Sequence, residues 1–449
     1  MLAQSVKGSA LAKAFSALHI PNYDMKMPNL VSPAEAVQCI KSGDRVWGHS
    51  VAGTPTPLLK ALADRKEELR GVELATVLPC GEFPSELLSN PESFSVNGLF
   101  VSGGIRKAIN TGDHHWTPCF LSEIPKLIRS DRFPIDVAMV QVSTPDKHGF
   151  VSLGTSVVAT LQAVRSAKKV IAVINDNYPR TLGDSMVHVS QFDAMCHEDF
   201  ARHSVPGAPP TDVQAAIGKN IASLIPDNAC LQVGFGAVPD NALANLKGHK
   251  GLGVHTEMLS EGVCDLVKAG AVTNEHKAVL PGKVLCSFAF GSEALYDFVD
   301  DNNYVNFRTV DYSNDPYVVA QNDNFIAING AIEVDITGQI VADSIGDKFW
   351  SGVGGQLDFM RGAAMSKGGK PICALPSTTS KGQSRIVNHL APGAGVVTTK
   401  YHADYVVTEH GIAELWGYNS RQRALALINI AAPEHRDHLM ADAKARGLI

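Results

Sequence analysis

Three stretches of this 449-residue chain combine residue types and spacings suited to chemistry. The first is Gln232-Val-Gly-Phe-Gly-Ala-Val-Pro, which follows a strand-like run and opens a helical pattern. Glycines at 234 and 236 let backbone come close to a ligand, and a helix start offers N–H groups to an anion or developing oxyanion. It is not a dinucleotide fingerprint, because Pro239 stands where the third glycine belongs and no acidic residue follows at a ribose-binding distance. Taken alone, the segment also fits a plain strand–helix turn. The second stretch, Ser351-Gly-Val-Gly-Gly-Gln-Leu-Asp-Phe, sets three glycines behind the bulky pair Phe349 and Trp350, as suits a loop that leaves space beside it. The third, His255-Thr-Glu-Met, puts the carboxylate of Glu257 at the end of a strand-like run. Without further context such a residue reads as a salt-bridged or solvated glutamate, and His255 as a packed strand residue. Asp113-His-His-Trp invites a metal ion, yet adjacent histidines on a strand point to opposite faces. No metal site is expected there.

The elements that must position these residues occur twice. One copy runs from Ile40 through Asp44, a short apolar run, Gly53 and Pro55 to the helical leucines 58, 59 and 62. The other runs from Ile225 through Asp227, a second apolar run, Gly236 and Pro239 to Ala242, Leu243 and Leu246. Each returns to a strand-like run, Val72-Glu-Leu-Ala-Thr-Val-Leu and Leu252-Gly-Val-His-Thr-Glu-Met. Strand, glycine turn, helix, strand is a βαβ unit, the building block of parallel sheets covered on both faces. Further buried-strand candidates begin at Val137, Val170, Val305, Phe325 and Tyr405. The proline-rich stretch 203–212 breaks any helix and reads as a linker. The fold class is therefore α/β, with two similar open domains at 29–205 and 213–449 and a ligand site expected where they face each other.

Bulk properties narrow the function. A length of 449 residues suits two cores, and 45% hydrophobic with 19% charged residues is ordinary for a globular enzyme. A net charge of −6 argues against a nucleic-acid-coating surface. No stretch approaches ~20 consecutive apolar residues, so a membrane span is not expected. The eight cysteines show no Cys-x2-Cys spacing and read as reduced, packed side chains. The first 23 residues hold Lys7 and Lys13 but no Asp or Glu, and residues 1–28 read as a targeting segment for a mitochondrial or related organelle matrix. A cytoplasmic protein with an ordinary N-terminal helix is the alternative.

Taken together, Gln232-x-Gly-x-Gly, His255-Thr-Glu-Met and Gly352-x-Gly-Gly-Gln resemble the acetyl-CoA hydrolase/transferase family, of the class I CoA-transferase type. Val142-Ser-Thr-Pro-Asp-Lys-His-Gly-Phe and Val407-Thr-Glu-His-Gly-Ile-Ala extend the likeness from about residue 30 to the C-terminus. Within the family, length and spacing are most similar to the 4-hydroxybutyrate and butyryl-CoA:acetate CoA-transferases. The resemblance implies two CoA-transferase-type domains and a Glu257 that carries CoA as a glutamyl thioester, with Glu409 framing it. It implies CoA and oxyanion contacts from Gln232, Val233, Gly234, Phe235, Gly236, Gly354 and Gly355, a basic contact from Lys381 and a backbone contact from Ala331. It places Asn314 and Ser50 on the small-carboxylate side. Coenzyme A enters as substrate, and no tightly bound cofactor is expected. The implied partners are acyl-CoA and small carboxylates; independently of the resemblance, a symmetric homodimer is expected as the commonest state of soluble enzymes. An acyl-CoA hydrolase on the same scaffold, or a non-catalytic CoA-binding protein, would be the alternative activities.

Overall fold

The computed structural model describes residues 27–205, 209, 211–234 and 236–449. The expected targeting segment therefore lies outside the described residues except for Met27 and Pro28, and the linker is described only in part. Two compact units emerge. One takes the described residues up to Pro118 together with Glu123–Val205 and Ser287–Asp311; the other takes Cys119–Ser122, the described part of 206–286, and Tyr312–Ile449. This differs in two places from a division of the chain at 205 and 213. Residues 287–311 join the first unit because Ser287 O accepts from Val157 N–H and Phe307 O from Asp184 N–H. Residues 119–122 join the second, where Leu121 N–H donates to Gly354 O and Ser122 Oγ to Asp358.

The first unit is built on eight strands, β1 (Asn29–Leu30), β2 (Arg45–Gly48), β3 (Val72–Val77), β4 (Phe94–Phe100), β5 (His115–Trp116), β6 (Val137–Val142), β7 (Lys169–Ile174) and β8 (Ala194–His197). Their spatial order is β1-β8-β7-β6-β2-β3-β4-β5, parallel throughout. The continuous apolar runs at 137 and 170 are the reason for this arrangement. Every residue of β6 is buried, as expected when both faces of a parallel strand are covered.

The second unit repeats the plan with β9 (Cys230–Val233), β10 (Gly253–Val254), β11 (Phe325–Gly330), β12 (Lys370–Ala374), β13 (Tyr405–Thr408) and β14 (Gly411–Glu414). Its order is β10-β9-β11-β12-β13-β14, parallel except for the terminal β13–β14 hairpin. In each unit the first strand of the repeated motif, β2 or β9, leads through a helix, α1 (Thr56–Ala63) or α2 (Ala237–Ala244), to a neighbour on one side. The chain then crosses to the other side, to β6 or β11. That reversal beside β9 opens a crevice at the carboxyl ends of the strands, where open α/β sheets bind ligands. Val305–Phe307, expected to help fill a sheet, is a three-residue strand outside both large sheets.

Candidate active site

Residues singled out in the second half of the sequence collect at the carboxyl edge of the second unit's sheet. Gly234 follows β9, Glu257 follows β10, Ala331 follows β11 and Glu409 follows β13. The strand-like run at 252 is shorter than its composition suggested. Only Gly253 and Val254 pair in the sheet, while His255 makes an isolated bridge to Leu285. Glu257 consequently sits three residues past the strand, in a loop. Thr256 anchors that loop, since its Oγ1 accepts from Val233 N–H at 3.4 Å and lies 3.3 Å from Val233 O.

Two further elements converge on the carboxylate. Asn314 lies between two short helices, α3 (Val310–Ser313) and α4 (Pro316–Val319), and donates from Nδ2 to Glu257 Oε2 at 2.7 Å. Asp315 and Pro316 set the start of α4, with Asp315 Oδ1 accepting from Tyr317 N–H at 2.8 Å. From the other side comes α5 (Gln356–Met365), whose N-cap is Gly355. A Cβ at residue 355 would overlap Glu257 Oε2 and Asn314 Nδ2, so only glycine admits this approach. A second glycine in α5, Gly362, lets Val319 of α4 pack directly on the helix backbone. Close packing of α4 on α5 thus brings Asn314 and Gly355 to the same carboxylate.

The electrostatics pull in two directions. The positive end of α5 and the Asn314 amide both favour a carboxylate anion. Burial acts against it and wins: the Glu257 carboxyl is pushed up to about 7, with the Asn314 hydrogen bond opposing. The side chain keeps a partial opening to solvent while protein packs around most of it. A desolvated carboxylate that still ionises near neutrality, beside a hydrogen-bond donor and a helix start, has the character of a covalent nucleophile with nearby stabilisation for a developing oxyanion.

This raised value carries a stability consequence. The fold prefers the protonated form, so Glu257 contributes stability that is fully present below about pH 4.5 and lost as pH rises through about 7. Glu257→Gln is expected to raise the thermal unfolding midpoint at pH 8, by an amount equivalent to at most about 3 kcal/mol, and to have little effect at pH 4.5. Calorimetric scans of both proteins at the two pH values check this.

The other expected site residues are distributed as follows. Gln232 is buried and exchanges two hydrogen bonds with Asn329, Nε2 to Oδ1 at 3.2 Å and Nδ2 back to Oε1 at 3.0 Å. Asn329 was missed by reasoning from the sequence, since a pair 97 residues apart leaves no local pattern. Gly234 N–H donates to Ile328 O at 2.8 Å, so this N–H belongs to the sheet and is not presented to an oxyanion. Gly236, with φ +129°, begins α2. Phe235 lies outside the described residues. Gly354, at φ +58°, accepts from Leu121 N–H and leads directly into Gly355. Ala331 N–H donates to Ala374 O. Lys381 is exposed on a turn in which Thr379 Oγ1 accepts from the Lys381 N–H.

Glu409 is held by its own neighbours. Ser377 donates to it from N–H at 2.9 Å and from Oγ at 2.6 Å, and His410 Nε2 lies at 3.7 Å. Among the described residues no hydrogen bond joins it to Glu257. Ser50 belongs to the first unit, buried with its Oγ 3.0 Å from Ser156 Oγ and 3.5 Å from Thr160 Oγ1. In the stretch 113–116, His114 is buried between Val96 N–H and Leu88 O while His115 is exposed. The two histidines diverge as strand alternation requires.

A cavity of about 670 Å³ opens in the second unit, lined by Glu333, Trp350, Thr379, Gln383 and Arg385 among others. It is flanked by the chain following Ala331 and by the turn that carries Lys381. Arg385 is fixed across it, its Nη1 donating to Ile332 O at 3.0 Å.

Comparison with known proteins shows the family. Residues 21–205 match the model for the acetyl-CoA hydrolase/transferase N-terminal domain, and residues 291–443 the model for the C-terminal domain. Over 418 residues the chain is 46% identical to the 4-hydroxybutyrate coenzyme A transferase of Clostridium kluyveri, covering 93% of this chain and 97% of that protein. It is also 46% identical over 406 residues to a succinyl-CoA:acetate/propanoyl-CoA:succinate CoA transferase of Fasciola hepatica, covering 89% and 84%. The crystal structure of RipA from Yersinia pestis superposes with a TM-score of 0.87 at 34% identity, covering 94% of this chain and 98% of RipA.

Proposed function

The chain belongs to the acetyl-CoA hydrolase/transferase family, and from that premise we propose that it is a CoA-transferase exchanging CoA between an acyl-CoA and a free short-chain carboxylate. The observation that carries the reading is the Glu257 carboxylate itself, desolvated, bonded to Asn314 and set against the start of α5. In the first step its oxygen attacks the acyl-CoA carbonyl, forming an acyl-glutamyl anhydride and releasing CoA thiolate. The thiolate then attacks the glutamyl carbonyl, expelling the acyl group as a free carboxylate and leaving glutamyl-CoA. An incoming carboxylate runs both steps in reverse and departs as the new acyl-CoA. The free energy of the thioester is kept at every stage, as an anhydride or as a thioester, so the cycle draws on no ATP. Acetate is proposed as one of the exchanged acids, in keeping with the substrates named for the Fasciola relative.

Binding of CoA is assigned to the 670 Å³ cavity and the Lys381 turn beside it. Contacts made there, remote from the reacting carbonyl, supply the binding energy that holds thioester and carboxylate together. Lys381→Ala is expected to raise KM for acyl-CoA roughly tenfold and to leave kcat within about twofold, since a charge on the phosphate-bearing part of CoA acts equally before and during the reaction. Steady-state kinetics against acyl-CoA at saturating acetate measure this.

Transfer and hydrolysis are separated by supplying acyl-CoA with and without excess labelled acetate. The proposal requires label to enter acetyl-CoA with little free thiol. Stoichiometric thiol release that acetate does not suppress would assign the chain to hydrolysis instead.

A further inference from the structure

Behind Glu257 runs a buried chain of hydrogen bonds, its direction set by main-chain donors from Asn322 as far as the Ser313 carbonyl. An asparagine amide can present either end to a neighbour, and only the Nδ2 end suits a carboxylate. Asn314 is fully buried and its Oδ1 accepts from Ser313 Oγ at 2.7 Å, which turns Nδ2 toward Glu257. The main chain of Ser313 is held in turn, its carbonyl accepting from His255 Nε2 at 2.7 Å. That nitrogen therefore carries the proton, and Nδ1 must accept. It does so from Asn322 Nδ2 at 3.1 Å. Asn322 has no freedom to flip, because its Oδ1 takes the N–H groups of Ala278 and Val279, each at 3.1 Å. Main-chain donors thus set Asn322, Asn322 sets the His255 tautomer, and His255 sets Ser313.

The His255 ring is equally constrained by packing. It meets Phe325 and Phe359 edge-on at 5.8 and 6.3 Å, and those two rings stack at 6.2 Å. Phe359 lies on α5, one turn after the glycine that touches Glu257. One buried, neutral imidazole therefore braces both elements that meet at the carboxylate.

We propose that Ser313 and His255 are positioning residues for acyl transfer, which lock the Asn314 amide with its N–H toward Glu257 and so select the reactive, ionised carboxylate. The inference rests on the reading of Glu257 as the nucleophile. Without the Ser313 hydroxyl the Asn314 amide loses the donor to its Oδ1 and is held less firmly, so its N–H supports the Glu257 anion less well. Among the charged and titratable groups on the elements that meet at Glu257, His255 is neutral, Asp311 pairs with Arg129, Asp315 is engaged in capping α4, Asp358 accepts from Ser122, and Arg361 lies farther along α5. The change on removing the hydroxyl is accordingly carried by Asn314.

The test is a cycle of Ser313→Ala, Asn314→Ala and the double variant, with the pH dependence of kcat/KM for acyl-CoA measured for each and folding checked by circular dichroism. S313A is expected to lower kcat roughly tenfold, to leave KM for acyl-CoA within about twofold, and to move the acidic limb of the profile to higher pH. The double variant should be no slower than N314A alone. Should S313A not fold, Ser313→Cys keeps a weaker donor in similar volume and should give a smaller displacement of the same limb. An acidic limb unmoved in the serine variant, or losses that simply add in the double variant, would overturn the positioning role. A separate control protects the inference from its premise: wild-type enzyme treated with acyl-CoA and borohydride must yield a modified Glu257 peptide. Its absence would remove the nucleophile itself, whatever the variants do.

Discussion

Glu257→Gln is expected to lower acyl transfer by about 10⁴-fold or more, the scale typical of removing a covalent nucleophile. The substitution is nearly isosteric, and the carbonyl of the introduced amide can still accept from Asn314, so folding and CoA binding should survive. What is lost is the anionic carboxylate oxygen that attacks the thioester, for which a neutral amide is no substitute. The pH profile of the wild type should carry the same signature. Rate in the first half-reaction depends on the ionised fraction and should fall about tenfold per pH unit below about 7, where burial has placed the carboxyl. Coupled assays of acetyl-CoA formation measure both effects. A glutamine variant that retains a tenth of the activity would be incompatible with covalent catalysis at this position.

Gly355→Ala is the second large effect, expected to cost about 100-fold in kcat. Residue 355 has φ −98°, a conformation open to any amino acid, so backbone strain is not the reason. The reason is occupancy: the added methyl would take the space of Glu257 Oε2 and Asn314 Nδ2 together. Either the carboxylate rotates away or α5 backs off, and each breaks the alignment of nucleophile, donor and helix start. Since α5 also packs against α4 through Gly362, a retreat of the helix would disturb Asn314 a second time. Kinetics of G355A together with its thermal unfolding midpoint distinguish misplacement from unfolding. A folded variant with near wild-type kcat would show that α5 does not constrain the carboxylate.

Much of this architecture was readable because it rests on local rules. Glycine turns after strands, helical leucines and continuous apolar runs are short-range patterns, and they located β2, β6, β7, β9 and β11 and the repeated βαβ motif. The loop at 352–355 was readable for the same reason, since bulky residues followed by three glycines announce a close approach. The contacts that finish the site are not local. Gln232 and Asn329 pair across 97 positions, and Glu257 and Asn314 across 57. Ser313 directly precedes Asn314, which the resemblance had marked, but nothing in one sequence tells which way an amide is turned. Glu409 shows the same limit: a resemblance marked it, while the residue that holds both its oxygens, Ser377, was marked by no pattern. The assignment of 287–311 to the first unit likewise depends on main-chain bonds to Val157 and Asp184, far away in the chain.

The decisive measurement is peptide mass spectrometry of the active enzyme after brief exposure to acyl-CoA and quenching with borohydride, which reduces a protein thioester to an alcohol. The reduced modification should appear on the peptide containing Glu257, only when acyl-CoA was present, and should disappear if acetate is added before the quench. An enzyme that turns over under these conditions while that peptide remains unaltered, or that carries the modification on a different side chain, would contradict a glutamyl-CoA intermediate at Glu257.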